Sequence, residues 1–317
     1  MRIAFVGKGG SGKTTSASLF AQYVAGNGHP TFVIDADLNQ HLLESLGFKG
    51  RPQQQLGNAI LTLKEELIGS NMRMTASEML KTTPPGKGSR IFQGTEDLTE
   101  SLPSFVISER GISAAAVGAP EEEDIGIRCY HGKTGTVELI LNHLVDHEDE
   151  YVIVDMTAGI DAFSSGLYDK FDLTVLIVEP TQKSVQVFEQ YQERAQSLGL
   201  ALRALGNKIQ SEQDEQFLQE RLGSALLSSV KYSDQIRSLE QGISVSLEEL
   251  LHDQQSALEA VKRTLDDQPK DWARYLQRTT DMHIKTAQSW ANQSMGKRFE
   301  DQIDPTFSYP VRERMRG

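Results

Sequence analysis

The chain has 317 residues, 38% of them hydrophobic, which is enough for a sizeable core in one large domain or two small ones. Its 44 Asp and Glu residues outnumber 32 Lys and Arg, and the formal net charge of −12 disfavours nonspecific attraction to nucleic acid or anionic lipid. One cysteine, Cys129, excludes an intrachain disulfide and indicates a reducing compartment. The first ten residues lack the regions of a signal peptide, and no apolar run is long enough to span a membrane. We therefore expect a cytoplasmic protein that binds neither nucleic acid nor membranes.

Short apolar runs alternate with helical stretches along the chain. The six predicted strands are Ile3–Val6, Thr31–Ile34, Ile112–Val117, Tyr151–Val154, Thr174–Val178 and Ala201–Leu205. Runs of this kind are typical of strands buried on both faces. The pattern predicts an α/β fold, with a mostly parallel, doubly wound sheet and helices on both of its faces.

Two of the intervening helices show a clear apolar face at helical spacing. The residues predicted on the face of the first helix are Ala17, Phe20, Ala21 and Val24. Those predicted on the face of the helix after the fifth strand are Val187, Tyr191, Ala195 and Leu198. Residues 46–111 lack a clear pattern, and we interpret them as an excursion from the sheet.

The last 50 residues or so are polar and helical in pattern. Trp272 and Trp290 lie 18 residues apart, which is five turns at 3.6 residues per turn, so they are predicted to share one helix face. That face would pack either on the chain's own domain or on a partner or second subunit.

A glycine-rich segment joins the first strand to the first helix. It reads Gly7-Lys8-Gly9-Gly10-Ser11-Gly12-Lys13-Thr14-Thr15 and satisfies the phosphate-loop pattern G-x-x-x-x-G-K-[ST]. Glycines let the backbone curl its N–H groups toward phosphate oxygens, and the helix adds the positive end of its dipole. Lys13 is then placed to bridge the outer phosphates and Thr14 to bind Mg²⁺. Residues 9–15 are the predicted phosphate contacts.

Three aspartates follow predicted strands. Asp35 and Asp37 end the second strand, and Asp155 ends the fourth. The carboxyl edge of an open parallel sheet is where ligands bind, so these carboxylates are expected beside the phosphate loop.

The second lysine of the loop, Lys8, is not required by the general motif. With it, the segment resembles the deviant Walker A loop of the dimeric P-loop ATPases that include septum-site ATPases, partition ATPases and nitrogenase iron protein. The resemblance implies a homodimer in the ATP state, with Lys8 reaching the partner's nucleotide and with Lys8, Lys13 and Asp37 as catalytic residues. It implies that Asp37 positions the attacking water, that Asp155 holds Mg²⁺ through water, and that Asp35 has a supporting or metal-linked role.

The segment Asn207-Lys208-Ile209-Gln210 resembles the base-contacting segment of these ATPases. Guanine-specific enzymes carry an aspartate where this chain has Gln210, so ATP is favoured over GTP. The implied base contacts are Asn207 with the adjoining Lys208, and Pro180 from the neighbouring strand end.

The segments at 117–118, 143–144, 155–160, 178–184 and 206–209 are, in order and spacing, similar to those of the nickel-insertion ATPases that mature carbon monoxide dehydrogenase, and this resemblance covers residues 1–245. Members of that branch carry a C-x-C pair where this chain has Cys129-Tyr130-His131. Doubled by dimer symmetry, Cys129 and His131 would supply two thiolates and two imidazoles for Zn²⁺ or Ni²⁺. The pair is equally what a metal site lost by drift would leave. One cysteine per subunit excludes an all-cysteine [4Fe–4S] bridge in a homodimer.

These observations predict a P-loop nucleotide-binding domain over residues 1–250 and a helical C-terminal extension over 251–317. The leading hypothesis is a dimeric ATPase, converting ATP and water to ADP and phosphate, that serves the maturation of a metalloenzyme client. The alternative is a partition- or positioning-type switch acting on DNA, a membrane or a protein. The acidic net charge and the scarcity of apolar residues near the C-terminal arginines disfavour DNA and membrane.

Overall fold

The computed structural model describes residues 1–119, 130–157, 166–241, 243 and 245–311. In chain order, the strands are β1 (Arg2–Gly7), β2 (Thr31–Ala36), β3 (Phe92–Gln93), β4 (Ile107–Glu109), β5 (Ile112–Ala116), β6 (Leu144–Val145), β7 (Tyr151–Met156), β8 (Leu173–Val178), β9 (Leu202–Ile209) and β10 (Leu226–Lys231). The α-helices are α1 (Lys13–Gly26), α2 (Leu42–Ser45), α3 (Ile60–Ile68), α4 (Thr95–Ser101), α5 (Tyr130–His143), α6 (Gln182–Leu198), α7 (Glu212–Leu222), α8 (Asp234–Glu240), α9 (Leu247–Asp266), α10 (Trp272–Thr286) and α11 (Asn292–Met295).

Eight of these strands form one sheet in the order β10-β9-β8-β1-β7-β2-β5-β4. Every neighbouring pair is parallel except β4 and β5, which are antiparallel. The short strands β3 and β6 pair separately. Apolar clusters fill both faces of the sheet. The prediction of a mostly parallel sheet covered by helices on both faces is confirmed.

All six predicted strands are present, within a few residues of their expected ends. The edge strand β10 is not predicted by the sequence, because Ser228 and Ser229 interrupt its apolar character. Strand β4 is also missed, since three residues are too few to show a pattern.

The predicted apolar face of α1 is confirmed, because Ala17, Phe20, Ala21 and Val24 are all fully buried. The predicted face of α6 is partly wrong, since Leu198 is 41% exposed and Val187 is only half-buried. The buried side chains of α6 include Val185, Phe188, Tyr191 and Ala195. The true face is therefore set by Val185 and Phe188 and lies beside the predicted one, and Leu198 ends the helix next to Gly199.

The prediction that the two tryptophans share a helix face is wrong. Helix α10 is followed by a π-helical turn over Ala287–Ala291, and Trp290 lies in it. Because a π-helical residue advances by a smaller angle than an α-helical one, the turn changes the helical phase of the residues within and beyond it. Trp272, at the start of α10, packs beside the Tyr309 ring, at 5.0 Å between centroids, whereas Trp290, within the turn, is 49% exposed.

The C-terminal elements pack back on the rest of the chain. Helix α9, which contains residue 250, buries Leu258, Val261 and Leu265 in the apolar cluster on the α1 face of the sheet. Beyond α10, the Gln302 side chain accepts a hydrogen bond of 2.9 Å from Thr83, in the excursion from the sheet. Within the described ranges, no helix is long and apolar enough to cross a membrane.

Candidate functional site

The glycine-rich segment forms a loop between β1 and the first turn of α1. Gly12, the N-cap of α1, has φ 96°, and a Cβ there would collide with the Asn207 amide. Around the positions where Gly9 and Gly10 would carry a Cβ, there is no atom within 4 Å. The loop thus needs glycine where the backbone turns, and it leaves open space beside the first helical N–H groups, where an anion binds favourably.

Ser11 lies at the centre of this loop. Its side chain is buried, and its Oγ has no hydrogen-bond partner among the described residues. Its backbone N–H donates to the Lys8 carbonyl at 3.1 Å, which closes the loop. Lys8 itself is exposed.

Lys13 and Asp37 meet beside the loop. The Lys13 side chain is 5% exposed, and its Nζ lies 3.8 Å from Asp37 Oδ2. The first turn of α1 and the end of β2 bring these two charges together. Thr15, also on the first turn of α1, faces the same cavity.

Thr14, Asp35 and Asp155 form a second group below the loop. The Thr14 hydroxyl donates to Asp155 Oδ2 at 2.6 Å, while Asp155 Oδ1 is buried and has no hydrogen-bond partner in the described ranges. Asp35 and Asp155 are register partners on the adjacent strands β2 and β7. Asp35 accepts hydrogen bonds from the backbone N–H groups of Leu42, at 2.9 Å, and Asp37, at 3.2 Å.

Burial disfavours ionisation of both carboxyl groups. It raises the pKa of Asp35 to about 7, although the two backbone hydrogen bonds oppose this. Burial and the nearby Asp35 charge raise the pKa of Asp155 to about 8, against the Thr14 hydrogen bond and the Lys13 charge. Two buried carboxyl groups with a free oxygen and a hydroxyl offer hard donors, which suit Mg²⁺.

The side chains of Asn207 and Lys208 both hydrogen-bond to the backbone of the phosphate loop. The Asn207 side chain donates to the Ser11 carbonyl at 2.7 Å. Lys208, with φ 61°, donates to the Gly10 carbonyl at 2.5 Å and pairs with Glu179 at 2.6 Å. Pro180 follows Glu179 at the end of β8 and is half-buried. The side chains of Asn207 and Lys208 therefore hold the backbone of the loop.

Gln40 is a site residue that the sequence reasoning missed. It is 6% exposed, has φ 54°, and its Nε2 donates to the Asp37 carbonyl at 2.5 Å and the Asp35 carbonyl at 3.4 Å. Its Oε1 accepts from the Gly118 N–H at 3.1 Å. A glutamine in a turn carries no motif, so the only signal was its position just after the two aspartates.

A cavity of about 710 Å³ opens in front of the loop. Its lining includes Gly9, Gly10, Gly12, Lys13, Thr14, Thr15, Asp37, Leu239 and Ile243. The cavity therefore combines phosphate-loop groups with apolar side chains of α8 and the segment after it.

The predicted transition-metal pair lies mostly outside the described residues. Cys129 is not described, and of His131 only the backbone, in the first turn of α5, is described. Elsewhere in the described chain, no three or more His, Cys, Asp or Glu side chains group as a metal site.

Comparison with known families agrees with this geometry. The model of the CobQ/CobB/MinD/ParA nucleotide binding domain matches residues 3–246. The chain belongs to this family. The match includes the loop, the three aspartates and Asn207, so the chain carries the nucleotide-binding domain of a P-loop ATPase family.

Two curated relatives span most of this region. The carbon monoxide dehydrogenase accessory protein CooC of Rhodospirillum rubrum is 30% identical over 243 residues, covering 76% of this chain and 87% of its own. An uncharacterised ATP-binding protein of Methanocaldococcus jannaschii is 28% identical over 240 residues, covering 74% of this chain and 87% of its own.

Solved structures share the fold at low identity. The cell division ATPase MinD of Pyrococcus furiosus aligns with a TM-score of 0.55 at 15% identity, covering 83% of this chain and 98% of its own. The MinC:MinD cell division protein complex of Aquifex aeolicus gives 0.53 at 15% identity, over 85% and 98%. At this identity, the likeness concerns the fold alone.

Proposed function

We propose that the protein is a dimeric, Mg²⁺-dependent ATPase that serves the maturation of a metal centre in a client enzyme. The observation that carries the ATPase proposal is the meeting of Lys13, Asp37 and the Thr14–Asp155 hydrogen bond at the mouth of one cavity. Family membership supports ATP as the nucleotide, and the 30% sequence identity to CooC supports the maturation role.

In this proposal the loop binds the triphosphate. Backbone N–H groups of residues 9–15 other than Ser11 and the Nζ of Lys13 would face its oxygens, and the unpartnered Ser11 Oγ would add a polar group within the loop. Asn207 and Lys208 hold the loop's shape. Together with Pro180 they would contact the adenine base.

Thr14, Asp35 and Asp155 would hold the Mg²⁺ ion. The unpartnered Asp155 Oδ1 and the raised pKa values of both aspartates fit a site that is stabilised by a cation. When bound, Mg²⁺ supplies neutralisation of phosphate charge. Asp37 accepts a hydrogen bond from the attacking water and so orients it toward the γ-phosphorus. Lys13, beside it, stabilises negative charge that develops on the phosphate oxygens.

Lys8 and the pair Cys129 and His131 carry the finer parts of the proposal. Lys8 is exposed at the mouth of the loop, from which it would reach the nucleotide of a second subunit. Cys129 and His131 from two subunits would bind a Zn²⁺ or Ni²⁺ ion as cargo for the client.

Phosphate release measured with ATP and Mg²⁺ tests the ATPase proposal. Lys13→Ala and Asp37→Asn should each lower the turnover rate by roughly 100-fold or more, because each removes a group that acts on the transition state. Lys285→Ala, at an exposed position of α10, is the matched control and should hydrolyse ATP at the wild-type rate. Wild-type turnover in Asp37→Asn would contradict the assigned role.

Mass and metal content, measured in line after size exclusion with and without ATP, test the remaining parts. The wild type should shift to twice its mass with ATP and carry metal that Cys129→Ala lacks. Equal metal content in the two proteins would reject the metal site and leave the ATPase proposal intact.

A further inference from the structure

The open edge of the main sheet carries a groove that the nucleotide site does not use. Its volume is about 690 Å³, and its floor is strand β10, from Leu226 to Ser229 and at Lys231. Helix α7 forms one wall and α9 the other, and these helices belong to apolar clusters on opposite faces of the sheet. The groove therefore occupies the place where the next strand of the sheet would lie, about 4.8 Å from β10.

The backbone of β10 directs hydrogen-bonding groups into this groove. Lys231 is paired with Ile209 in the parallel ladder, and the N–H of Tyr232 donates to the Ile209 carbonyl at 2.8 Å. Because alternate residues of a parallel strand bond to the same neighbour, Lys231 points its own N–H and C=O away from β9. β10 contains no proline, which often blunts an edge strand, although its register with β9 shifts between Leu226 and Ser228 and between Ser229 and Lys231.

The wall formed by α9 adds a polar side chain without a partner. Gln254 is 6% exposed and lines the groove, and it makes no side-chain hydrogen bond with any described residue. A primary amide both donates and accepts, so it matches the alternating N–H and C=O groups of an extended backbone. An extended backbone in the groove would therefore find a hydrogen-bond partner in this amide.

The charges of the walls select the kind of peptide. Two carboxylates line the groove, those of Glu215 on α7 and Asp253 on α9, against one ammonium group, that of Lys231. The nearest basic group to Asp253 is His252, with Nδ1 at 3.9 Å from the carboxylate. If β10 paired with β10 of a second copy, these acidic walls would face each other and repel. A basic segment of a different protein is the complementary occupant.

We propose that β10 accepts an extended, lysine- or arginine-bearing segment of a partner protein as a ninth strand of the sheet. Main-chain hydrogen bonds to the free edge would supply affinity, and Glu215, Asp253 and Gln254 would supply preference among sequences. The groove and the cavity in front of the phosphate loop share no lining residue, so the segment would bind without entering that cavity.

Fluorescence anisotropy of a labelled nonapeptide with alternating valine and lysine, titrated with the full-length protein, tests this proposal. The comparison peptide carries glutamate at every lysine position. We expect the lysine peptide to bind at least about tenfold more tightly than the glutamate peptide, with a difference that shrinks as salt rises. Equal binding of the two peptides, or no binding of either, would overturn the proposal.

A matched pair of variants isolates the strand edge from the charge. Lys231→Pro and Lys231→Ala remove the same ammonium group, but only proline removes the outward N–H. The alanine variant should bind the lysine peptide at least as tightly as the wild type, and the proline variant about tenfold or more weakly. Equal affinity of the two variants would reject strand addition.

Two further measurements keep the result clear if Lys231→Pro folds poorly. A lysine peptide that is N-methylated at alternate residues cannot donate along one edge, so it should bind the wild type at least about tenfold more weakly. Unchanged binding of that peptide would exclude strand addition.

Glu215→Gln combined with Asp253→Asn should weaken binding of the lysine peptide several-fold. A wild-type dimer without nucleotide that Lys231→Pro dissociates would show that the occupant is a second copy and would overturn the proposal of a different partner.

Discussion

At the scale of single residues, the two lysines of the phosphate loop differ in their surroundings. Lys13 is 5% exposed and lies beside Asp37, so it acts within its own site. Lys8 is exposed and makes no side-chain hydrogen bond or ion pair with any described residue. An exposed lysine at the mouth of a phosphate site, unpaired by the part of its own chain that the structure describes, is well placed to act on a second subunit.

Replacing Lys8 by alanine separates binding from turnover. We expect Lys8→Ala to bind ATP with near wild-type affinity, to remain monomeric with ATP, and to lose turnover by about 100-fold or more. Nucleotide affinity by fluorescence, mass by size exclusion and phosphate release are the three readouts. Lys13→Ala, measured in parallel, should instead weaken nucleotide binding. A Lys8→Ala protein that dimerises and hydrolyses ATP normally would contradict the cross-subunit role.

Gln40 is expected to position Asp37 without touching the reacting groups. In Gln40→Ala, the Gly118 N–H loses its partner and the Asp35–Asp37 turn loses two hydrogen bonds, which should cost about 1–3 kcal/mol of unfolding free energy. The turnover rate should fall while the KM for ATP changes little. Urea unfolding and steady-state kinetics measure both, and Gln186→Ala, at an exposed position of α6, is the control. A rise in KM with an unchanged turnover rate would argue against a positioning role.

At the scale of elements, continuous apolar runs in the sequence predicted the central strands, and a glycine-rich motif predicted the phosphate loop. β1, β7 and β8 are buried on both faces, so they read as uninterrupted apolar segments, and the loop between β1 and α1 follows from its glycines. Asp35 and Asp155 were predicted at one sheet edge, and the parallel register places them side by side.

Other features depend on tertiary context that no local pattern carries. Residues 226–229 of the edge strand β10 are only half-buried, so serine is tolerated there. Gln40 bridges the aspartate turn only because the fold places the Gly118 N–H, just after β5, beside its Oε1. The phase of the C-terminal helix changes at a π-helical turn, which 3.6-residue counting cannot foresee.

The two tryptophans, one before and one within the π-helical turn, differ in how they pack. Trp272 packs against the Arg2 guanidinium, 5.1 Å from the ring centroid, and beside Tyr309. Trp272→Ala should therefore lower the free energy of unfolding by about 2–3 kcal/mol. Trp290, which is 49% exposed, should change it by no more than about 0.5 kcal/mol when replaced by alanine. Urea unfolding of the two variants decides; equal losses would mean that the two rings are equally packed.

At the scale of the whole molecule, one buried ionic cluster joins both ends of the described chain. Asp146, fully buried, accepts from Arg2 Nε at 2.6 Å and from the N-terminal ammonium group at 2.8 Å. Lys270, just before α10, reaches Asp146 and Asp172, each at 2.6 Å. The cluster thus ties β1, the segment after β6 and the C-terminal helices into one unit.

Replacing Asp146 by asparagine should destabilise the fold by about 3–5 kcal/mol near pH 7, because it leaves the buried Arg2 guanidinium and the N-terminal ammonium group without a carboxylate partner, whereas Lys270 keeps Asp172. Burial opposes ionisation of Asp146, but the charges of Arg2 and Lys270 outweigh it and hold its pKa well below the ordinary value. A depressed pKa means that the ionised group stabilises the fold above its unfolded-state pKa of about 3.9, and that this stability is lost as pH falls below it.

The unfolding free energy of the wild type should therefore fall more steeply below about pH 4 than that of Asp146→Asn, so that the gap between them narrows with acid. Urea unfolding from pH 7 down to pH 3 measures that gap. Glu189→Gln, which removes an exposed ion pair with Arg221, is the matched control and should cost no more than about 1 kcal/mol at pH 7. A gap between wild type and Asp146→Asn that stays constant over this pH range would show that the cluster stabilises the fold by packing and not by charge.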